Sequence, residues 1–492
     1  MKRHLFLIIG VTLVVAGAVR APAAKADDRP NILWIMAEDI CPDLSCYGTK
    51  GVSTPNLDRL ANAGARFTHA FTTAPVCSAS RSAMLTGFHQ NYIGANQHRT
   101  PNADKKYLPY GIEPIPNLLQ DAGYFTCLMD RKTDHNFLTH RPLFMGKDWK
   151  QRKPGQPFFA QITFHGTHRS WQRDPLRPID GKDVEIPAYM PDLPMVRRDF
   201  ANGLEQIQLM DRKVGQLLKR LKAENLEENT LVFFIGDHGR CHIRGKQFLY
   251  DEGLHIPLLM RWPGHVRPGV VRAELVCALD ICAAILDVAK VKPPVPLQGM
   301  SLFDDAIKQR KYVFAARDKM DDTHDAMRSI RAENYRLILN LMPERAWCQY
   351  NRYKEAQYPL LALLNVMNLK GQLTPVQAAF MAPHKPKVEL YDTRKDPDMV
   401  HNVADDPEYA PVRKELLVAL DNWRKNVIHD KGVSEEFRKG GWPATYPTRS
   451  LEEWEAILEL WKPWVFRDPA RKVRHPKFPD AGKVLTEQIR NQ

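Results

Sequence analysis

The sequence predicts an α/β protein with a large, mostly parallel or mixed central sheet flanked by helices, followed by a smaller antiparallel sheet and a helix. Up to about residue 308, apolar runs of strand length alternate with amphipathic helical segments, which is the pattern of a layered sheet protein. From about residue 309 the chain reads as short strands followed by one amphipathic helix. We therefore expect a catalytic unit over residues 27–308 and a C-terminal subdomain over residues 309–492.

Four apolar runs predict strands of the large sheet. Residues 31–36 and 231–235 are nearly continuous apolar runs, typical of strands buried on both faces. Residues 124–129 and 158–164 indicate two more strands. Polar residues follow each run, either directly or after one small residue, Ala37 or Gly236. Because ligands bind beyond the carboxyl ends of the strands in an open parallel sheet, side chains far apart in the sequence can converge there.

Two helices of the first unit have clear sequence signals. Thr54 and Pro55 predict the start of a helix that stops at Gly64, with threonine as the N-cap. A longer helix is predicted over about residues 200–222. Its apolar stripe indicates core packing and consists of Leu204, Ile207, Met210, Val214, Leu217 and Leu221.

The C-terminal subdomain is predicted from shorter segments. Residues 312–316, 335–341 and 388–391 indicate short strands. Residues 412–427 predict an amphipathic helix, and the side chains expected to face inward are Leu416, Leu417, Leu420 and Trp423.

A cysteine at the predicted N-terminus of a helix is the most informative local feature of the sequence. Cys77 opens a helix-compatible segment that ends at Gly87, with Arg81 one turn along. Unpaired N–H groups and the helix dipole favour an anion at such a position. Taken alone, Cys77 is better explained as a buried structural cysteine, since free cysteine behaves as a small hydrophobic residue. The surrounding motif decides between these readings.

That motif, Cys-x-Ala-x-Arg followed by Leu-Thr-Gly, resembles the formylglycine signature of the type I sulfatases. This family belongs to the alkaline-phosphatase-like superfamily, and the order of motifs is similar to the heparan N-sulfatase-like and polysaccharide sulfatase branch. The resemblance implies that a formylglycine-generating maturation enzyme converts Cys77 to 3-oxoalanine (formylglycine). The hydrate of that aldehyde is then the nucleophile.

Pairs of polar residues after two of the strands match the metal ligands of the family. Glu38 and Asp39 follow the first strand, and Asp237 and His238 follow the run at 231–235. The resemblance implies that these four residues, with residue 77, bind a divalent metal. An oxygen-rich set favours Ca²⁺. The imidazole of His238 leaves Mg²⁺ or Mn²⁺ open, since it is a poorer ligand for calcium.

Basic residues after the other two strands match groups directed at the sulfate. Lys132 corresponds to the family lysine, and either Asp134 or His135 stands in place of the histidine that follows it. After the strand at 158–164, His168 is the better match to a catalytic histidine. His165 is expected to support it at the substrate.

The resemblance also implies a mechanism. The hydrate attacks sulfur in line with the ester oxygen, while Lys132, Lys246 and Arg81 join the metal in offsetting the charge on the sulfuryl oxygens. Either His168 or Lys246 protonates the departing alcohol. Loss of a proton from the second hydroxyl then releases sulfate and restores the aldehyde.

A polar cluster enters the predicted C-terminal subdomain and is a candidate for the rim of the substrate pocket. It contains Arg317, His324 and Arg328. A solvated loop is the alternative interpretation of the same residues.

The N-terminus predicts export. Residues 1–26 resemble a secretory signal, with a basic start, an apolar run over residues 5–19 and an Ala-x-Ala site at residues 24–26. We expect a periplasmic or secreted protein without a stable membrane span, because the run is short. Removal of residues 1–26 takes away four basic residues and no acids, so the formal charge falls from +13 to +9, which suits a polyanionic substrate, although a solvated basic surface would have the same charge. Nucleic-acid motifs are absent from the sequence, so no nucleic-acid partner is expected.

The sequence therefore predicts a sulfatase acting on O-sulfate or N-sulfate groups of a sulfated saccharide, either a polysaccharide or a glycosaminoglycan fragment. A phosphodiesterase or phosphonate monoesterase of the same superfamily is one alternative, since phosphoryl and sulfuryl groups share tetrahedral geometry. A catalytically silent glycan-binding protein is the other, and it requires that Cys77 is never oxidised.

Overall fold

The structure is a computed structural model that describes residues 29–130, 132–441, 449–471 and 473–478. The predicted signal segment, residues 1–26, lies outside the described residues. In chain order the strands are β1 Asn31–Ala37, β2 Ala65–Phe71, β3 Phe125–Leu128, β4 Phe158–Phe164, β5 Thr230–Gly236, β6 Leu258–Arg261, β7 Val270–Cys277, β8 Val313–Arg317, β9 Met327–Arg331, β10 Tyr335–Asn340 and β11 Val388–Asp392.

Helices cover both sheets. In chain order they are α1 Pro55–Asn62, α2 Cys77–Thr86, α3 Ile115–Asp121, α4 Pro194–Ala223, α5 Asp251–Leu254, α6 Leu279–Val288, α7 Arg352–Gln357, α8 Pro359–Leu369, α9 Pro375–Ala379, α10 Ala410–Asn426, α11 Glu435–Lys439 and α12 Leu451–Val465. Within the described ranges, none of these helices has both the length and the apolar content needed to cross a bilayer.

The large sheet is mixed, as the sequence predicts. Over the described residues its strand order is β3-β4-β1-β5-β6-β2-β7. The strands β3, β4, β1 and β5 run parallel to one another, whereas β6 is antiparallel to both of its neighbours. The four strands predicted from apolar runs are β1, β3, β4 and β5, and they form one contiguous parallel block.

The register of this block brings the candidate site residues to one edge. Ala37 at the end of β1 pairs with Phe164 at the end of β4 and with Gly236 at the end of β5. The three strands therefore end level with one another, and the polar residues that follow them emerge together. Main-chain bonds continue across this edge, since the Asp237 N–H donates to the Ala37 carbonyl oxygen at 3.0 Å.

The long helix α4 begins at Pro194, six residues before the predicted start, because proline at the first helical position needs no backbone donor. The predicted apolar stripe on α4 is buried in the main core. The helix α1 starts at Pro55 as predicted, but the Thr54 hydroxyl donates to the Asp58 carboxylate at 3.2 Å and does not cap the helix.

The small sheet has the order β11-β10-β9-β8 and is antiparallel throughout. The helix α10 packs against it through Leu416, Leu420 and Trp423, which are buried, while Leu417 is half-buried at the edge. The helix α12 contacts α8 and also α4 of the large unit. The boundary between residues 308 and 309 remains a prediction.

Candidate active site

Cys77 is the first residue of α2 and is completely buried. The preceding residue, Val76, is extended, and the helix ends at Gly87 in the left-handed conformation, which confirms the helix predicted from the motif. Burial alone would raise the pKa of the Cys77 thiol. The positive charges on Lys246 and His238 outweigh that effect and lower the pKa below its ordinary value.

Three ligand-type residues surround Cys77 where β1 and β5 end. His238 Nε2 lies 2.8 Å from Asp39 Oδ1 and 3.2 Å from Cys77 Sγ. Asp237 Oδ1 accepts the backbone N–H of Asp39 at 3.0 Å and that of His238 at 2.9 Å. One potential ligand atom from each of the four residues lies within 4.8 Å of the other three. The sequence prediction that these loop ends converge is therefore confirmed.

The donor set fits a divalent cation. Two carboxylates and an imidazole, all fully buried, are the ligand types that such ions prefer. His238 Nδ1 lies 2.9 Å from the Gly239 carbonyl oxygen, so the Nδ1–H donates there and Nε2 faces the other ligands. The residues present thus form a possible metal site at Asp39, Cys77, Asp237 and His238.

Glu38 lies beside this group of four and contacts positive charges. Its carboxylate forms an ion pair with Lys132 and accepts a hydrogen bond from Arg81 Nη2 at 3.2 Å. Its second oxygen is 3.6 Å from His165 Nδ1. Burial opposes ionisation, but the bond from His165 and the charges of Arg81 and Lys132 hold the pKa of Glu38 well below its usual range. The ligand role assigned to Glu38 from the sequence stays a prediction.

Arg81 is buried and joins three elements. Its Nε donates to Asp237 Oδ2 at 3.0 Å, and its Nη1 donates to Thr163 Oγ1 at 2.9 Å. With the bond to Glu38, the guanidinium spans the ends of β1, β4 and β5. Arg81 therefore orients the acidic side chains as well as adding positive charge.

Lys246 reaches the same point from the loop that follows β5. Its Nζ lies 3.0 Å from each carboxylate oxygen of Asp39 and 3.6 Å from Cys77 Sγ. Burial opposes protonation, but Asp39 and Cys77 raise the pKa of Lys246 well above its ordinary value. A fixed ammonium group thus lies beside residue 77.

The two histidines after β4 differ in their contacts. His168 Nδ1 lies 2.6 Å from the Arg169 carbonyl oxygen, and its Nε2 lies 3.3 Å from the Tyr353 hydroxyl and 3.8 Å from Asp39 Oδ2. His165 Nε2 is 3.1 Å from Asp130 Oδ2. Bonds to Asp130 and Glu38 raise the pKa of His165 to about 9. His168 is therefore the histidine beside the cluster, and His165 is held by acids at its margin.

An open cavity of about 390 Å³ lies beside this cluster and is lined by its neighbours Glu38, Lys132 and His168. Basic side chains dominate its wall, which favours an anionic ligand. The charged and imidazole residues in the wall include Glu38, Arg99, Lys132, His165, His168 and Lys213.

His135 and His324 make other contacts. His135 Nδ1 lies 2.8 Å from the Thr133 hydroxyl, and burial lowers the pKa of His135 to about 4. Asp134 lies 3.6 Å from Lys132 Nζ. His324 is half-buried and stacks on Phe437 with ring centroids 5.0 Å apart. Of the two residues proposed for the family histidine, only Asp134 contacts a candidate catalytic group in the described part of the chain.

The arginines expected at the pocket rim are buried. Arg328 forms ion pairs with Asp318 at 3.0 Å and with Asp430 at 2.9 Å. Arg317 is 1% exposed, and its Nη1 lies 3.8 Å from Asp325 Oδ2. Neither arginine lines the open cavity at the cluster.

Three site residues were missed by sequence reasoning. Tyr353 contacts His168 and lies under Lys246, whose Nζ is 5.3 Å from the ring centroid. His98 Nδ1 lies 2.7 Å from Asp321 Oδ1, and Asp321 raises the pKa of His98 despite its burial. His98 and Asp321 lie outside strands and helices, and Tyr353 is in a short helix, so neither periodicity nor a strand end marks them.

Comparison with known proteins agrees with this geometry. Residues 30–140 and 134–291 match the family model described as Sulfatase. The chain belongs to the sulfatase family. Residues 236–368 of this sulfatase also match a model described as N-sulphoglucosamine sulphohydrolase, C-terminal. Family membership identifies the protein as a sulfuric ester hydrolase.

Two relatives resemble this sulfatase over most of its length. An ulvan-active sulfatase of Formosa agariphila is 30% identical over 467 residues, which cover 85% of this chain and 78% of that protein. The N-sulphoglucosamine sulphohydrolase of Homo sapiens is 28% identical over 487 residues, which cover 86% and 93% of the two chains.

Solved structures share the fold of this sulfatase. A protein in complex with its substrate D-glucosamine-2-N,6-O-disulfate has a TM-score of 0.61 at 18% identity, covering 82% of this chain and 99% of that chain. A phosphonate monoester hydrolase of Agrobacterium radiobacter has a TM-score of 0.61 at 17% identity, covering 85% and 100%. These likenesses establish the alkaline-phosphatase-like fold expected from the sequence.

Proposed function

We propose that this sulfatase hydrolyses O-sulfate or N-sulfate groups of a sulfated saccharide, either a polysaccharide or a glycosaminoglycan fragment. The names of the two relatives, one ulvan-active and one a sulphoglucosamine sulphohydrolase, support a saccharide substrate. The basic wall of the open cavity supports a polyanionic one, as does the formal charge of +9 that remains when the four basic residues of segment 1–26 are subtracted from the +13 of the full sequence.

One observation carries the proposal. Cys77 Sγ, at the N-terminus of α2, lies 3.2 Å from His238 Nε2 and 3.6 Å from Lys246 Nζ, within a group that also contains Asp39 and Asp237. Acids, an imidazole and a fixed cation around a single thiol are what a nucleophile needs for attack on a tetrahedral anion.

The nucleophile in this proposal is residue 77 after its conversion to formylglycine, which supplies a hydroxyl for attack and a second hydroxyl for release of sulfate. A divalent cation, most simply Ca²⁺, supplies Lewis-acid charge when bound. Asp39, Asp237 and His238 would hold that cation together with residue 77, and Glu38 is the further ligand that the family resemblance assigns.

The remaining groups would act through charge and proton transfer. Lys246 and Lys132 would bind sulfuryl oxygens, while Arg81 holds Asp237 and Glu38 in place. We assign the leaving-group proton to Nε2 of His168 in its imidazolium form, since Nδ1 contacts the Arg169 carbonyl oxygen and Nε2 faces Asp39, whose charge favours that form although burial lowers the pKa of His168. Lys246 is the alternative donor, but Asp39 favours its protonated form.

Cellular context forms part of the proposal. Residues 1–26 would direct export to the periplasm or outside the cell, and a formylglycine-generating enzyme would modify Cys77. The substrate of the exported sulfatase would then be a saccharide encountered outside the cytoplasm.

The test is sulfate release by protein co-expressed with a formylglycine-generating enzyme. The substrates are D-glucosamine-2-N,6-O-disulfate, ulvan oligosaccharides and matched phosphate esters, with Cys77→Ser as the control. The proposal predicts sulfate release from at least one saccharide and none from the variant. Faster hydrolysis of the phosphate esters would support the phosphoesterase alternative. Saccharide binding by protein whose Cys77 remains an unmodified thiol despite co-expression with the maturation enzyme would support the glycan-binding alternative.

A further inference from the structure

A small internal cavity lies behind the active site, between the loop that follows β5 and the helix α7. Its volume is about 10 Å³, which is room for one water-sized occupant. Two of its lining residues, Gln247 and Phe248, directly follow Lys246 in the chain. The wall also contains Arg317, Trp347 and Lys354, which supply two cations and an indole N–H.

The two cations of this wall are buried against the same aromatic ring. Arg317 is 1% exposed and Lys354 is 7% exposed. The Arg317 guanidinium carbon lies 4.8 Å from the centroid of the Phe248 ring, and Lys354 Nζ lies 4.3 Å from it. Two like charges removed from water in one place are costly unless an opposite charge compensates them.

Hydrogen-bond donors in this wall lack acceptors. Among the described residues, Arg317 Nε and Nη1 and Trp347 Nε1 are buried without a hydrogen-bond partner. Unsatisfied buried donors of this kind are rare in proteins. The wall thus combines excess positive charge with free N–H groups.

Nearby carboxylates compensate the charge of Arg317 only in part: Asp325 forms a long ion pair with it and keeps one buried oxygen, Oδ1, without a hydrogen-bond partner, while other groups contact these carboxylates more closely. Asp325 accepts a hydrogen bond from Lys385 Nζ at 3.0 Å, whereas it lies 3.8 Å from Arg317. Asp321 lies 2.7 Å from His98 and accepts a bond from Gln247 Nε2 at 2.8 Å.

We propose that this cavity is a binding site for one monovalent halide ion, with chloride as the physiological ligand, held by Arg317, Lys354 and the Trp347 N–H. A halide accepts several N–H donors and needs no acceptor in return, which matches this wall better than water does. A sulfate or carboxylate ion is too large for the volume. Burial and the charge of Arg317 lower the pKa of Lys354 to about 7, and a bound anion would favour its charged form.

A halide ion bound in this cavity would stabilise the loop segment that carries Lys246. Because Gln247 and Phe248 line the cavity, an ion there fixes the backbone one residue beyond Lys246. The Gln247 side chain extends this link to Asp321, and through it to His98.

Halide-dependent thermal stability tests the proposal without any measurement of turnover. The full protein is titrated with sodium chloride or sodium bromide at ionic strength held constant with sodium gluconate. A ligand that binds only the folded state raises the melting temperature in a saturable way. We expect such a rise of several degrees for both halides. An equal melting temperature in halide and in gluconate would overturn the proposal.

Two further measurements locate the effect. Lys354→Met keeps an unbranched side chain that is one atom shorter and removes the charge, so it is expected to abolish the halide dependence. The exposed Lys414→Met is the matched control and is expected to retain it. Retention by Lys354→Met would contradict the proposed site. If that variant does not fold, crystals of the unchanged protein soaked in bromide test the site instead. Anomalous density is expected between Arg317 and Lys354. Its absence there would refute the assignment.

Discussion

The ammonium group of Lys246 lies 3.0 Å from both carboxylate oxygens of Asp39, and the same nitrogen is 3.6 Å from Cys77 Sγ. One buried cation therefore contacts both a candidate metal ligand and the residue proposed as the nucleophile. Since burial removes solvent screening, this charge acts on the developing anion far more strongly than a surface lysine would.

Lys246→Met should reduce kcat by about 10²–10³-fold, because it removes a preorganised positive charge from the transition state. Sulfate release by fully converted protein measures the effect, with the exposed Lys219→Met as the control for loss of a lysine. A loss smaller than about tenfold would show that Lys246 does not serve the reacting centre.

His238→Asn should increase the affinity for calcium, because an amide oxygen is a better ligand for this hard cation than an imidazole nitrogen. Isothermal titration of chelator-treated protein with Ca²⁺ and Mn²⁺ checks the prediction. His401→Asn, at an exposed position, is the control. Unchanged calcium binding by the His238 variant would mean that Nε2 is not at a metal-ligand position.

Arg328→Met should lower the free energy of unfolding by about 3 kcal/mol, since it removes the paired cation from the buried carboxylate of Asp318, whereas Asp430 keeps its ion pair with Arg424 at 2.9 Å. Urea unfolding measures the loss, and kcat and KM per folded molecule measure any role in binding. The rim position predicted from the sequence requires a higher KM. An unchanged stability with a raised KM would support that role over the structural one.

Buried His89 predicts loss of stability in acid. Burial, with the charge of Arg310, lowers the pKa of His89 to about 3, so the folded protein holds it neutral while the unfolded chain takes up a proton below about pH 6.5. Its stabilising contribution is complete above about pH 6.5 and falls by about 1.4 kcal/mol per pH unit below it.

His89→Gln should flatten the decline in the free energy of unfolding between about pH 6.5 and pH 4 by that amount. His401→Gln, which changes an exposed histidine, is the matched control and should keep the original slope. An unchanged slope in the His89 variant would contradict the assignment.

The sequence predicts the centre of the site better than its surroundings. Cys77, Asp39 and Asp237 could be placed because each follows a strong local signal, either a helix start or the end of a doubly buried strand. The strands β2 and β7 were not predicted. Both mix polar with apolar residues, and their place in the sheet depends on pairing with each other and not on a continuous apolar run.

Contacts between residues far apart in the sequence explain why several side chains around the site could not be placed from the sequence alone. The partner of Arg328, Asp430, lies 102 residues further along the chain, so the sequence alone does not distinguish a buried arginine from one at a pocket rim. Tyr353 reaches His168 across 185 residues for the same reason. The helix α12 did have a signal that was missed, since Trp454, Ile457, Leu458, Trp461 and Val465 recur at helical spacing.

The most direct test is a crystal structure of the matured protein grown with calcium. The account predicts one ion at about 2.3–2.6 Å from oxygens of Asp39 and Asp237, in contact with His238, and residue 77 present as a hydrated aldehyde beside it. An ion bound elsewhere, or an unmodified cysteine at position 77 in protein that releases sulfate, would contradict it.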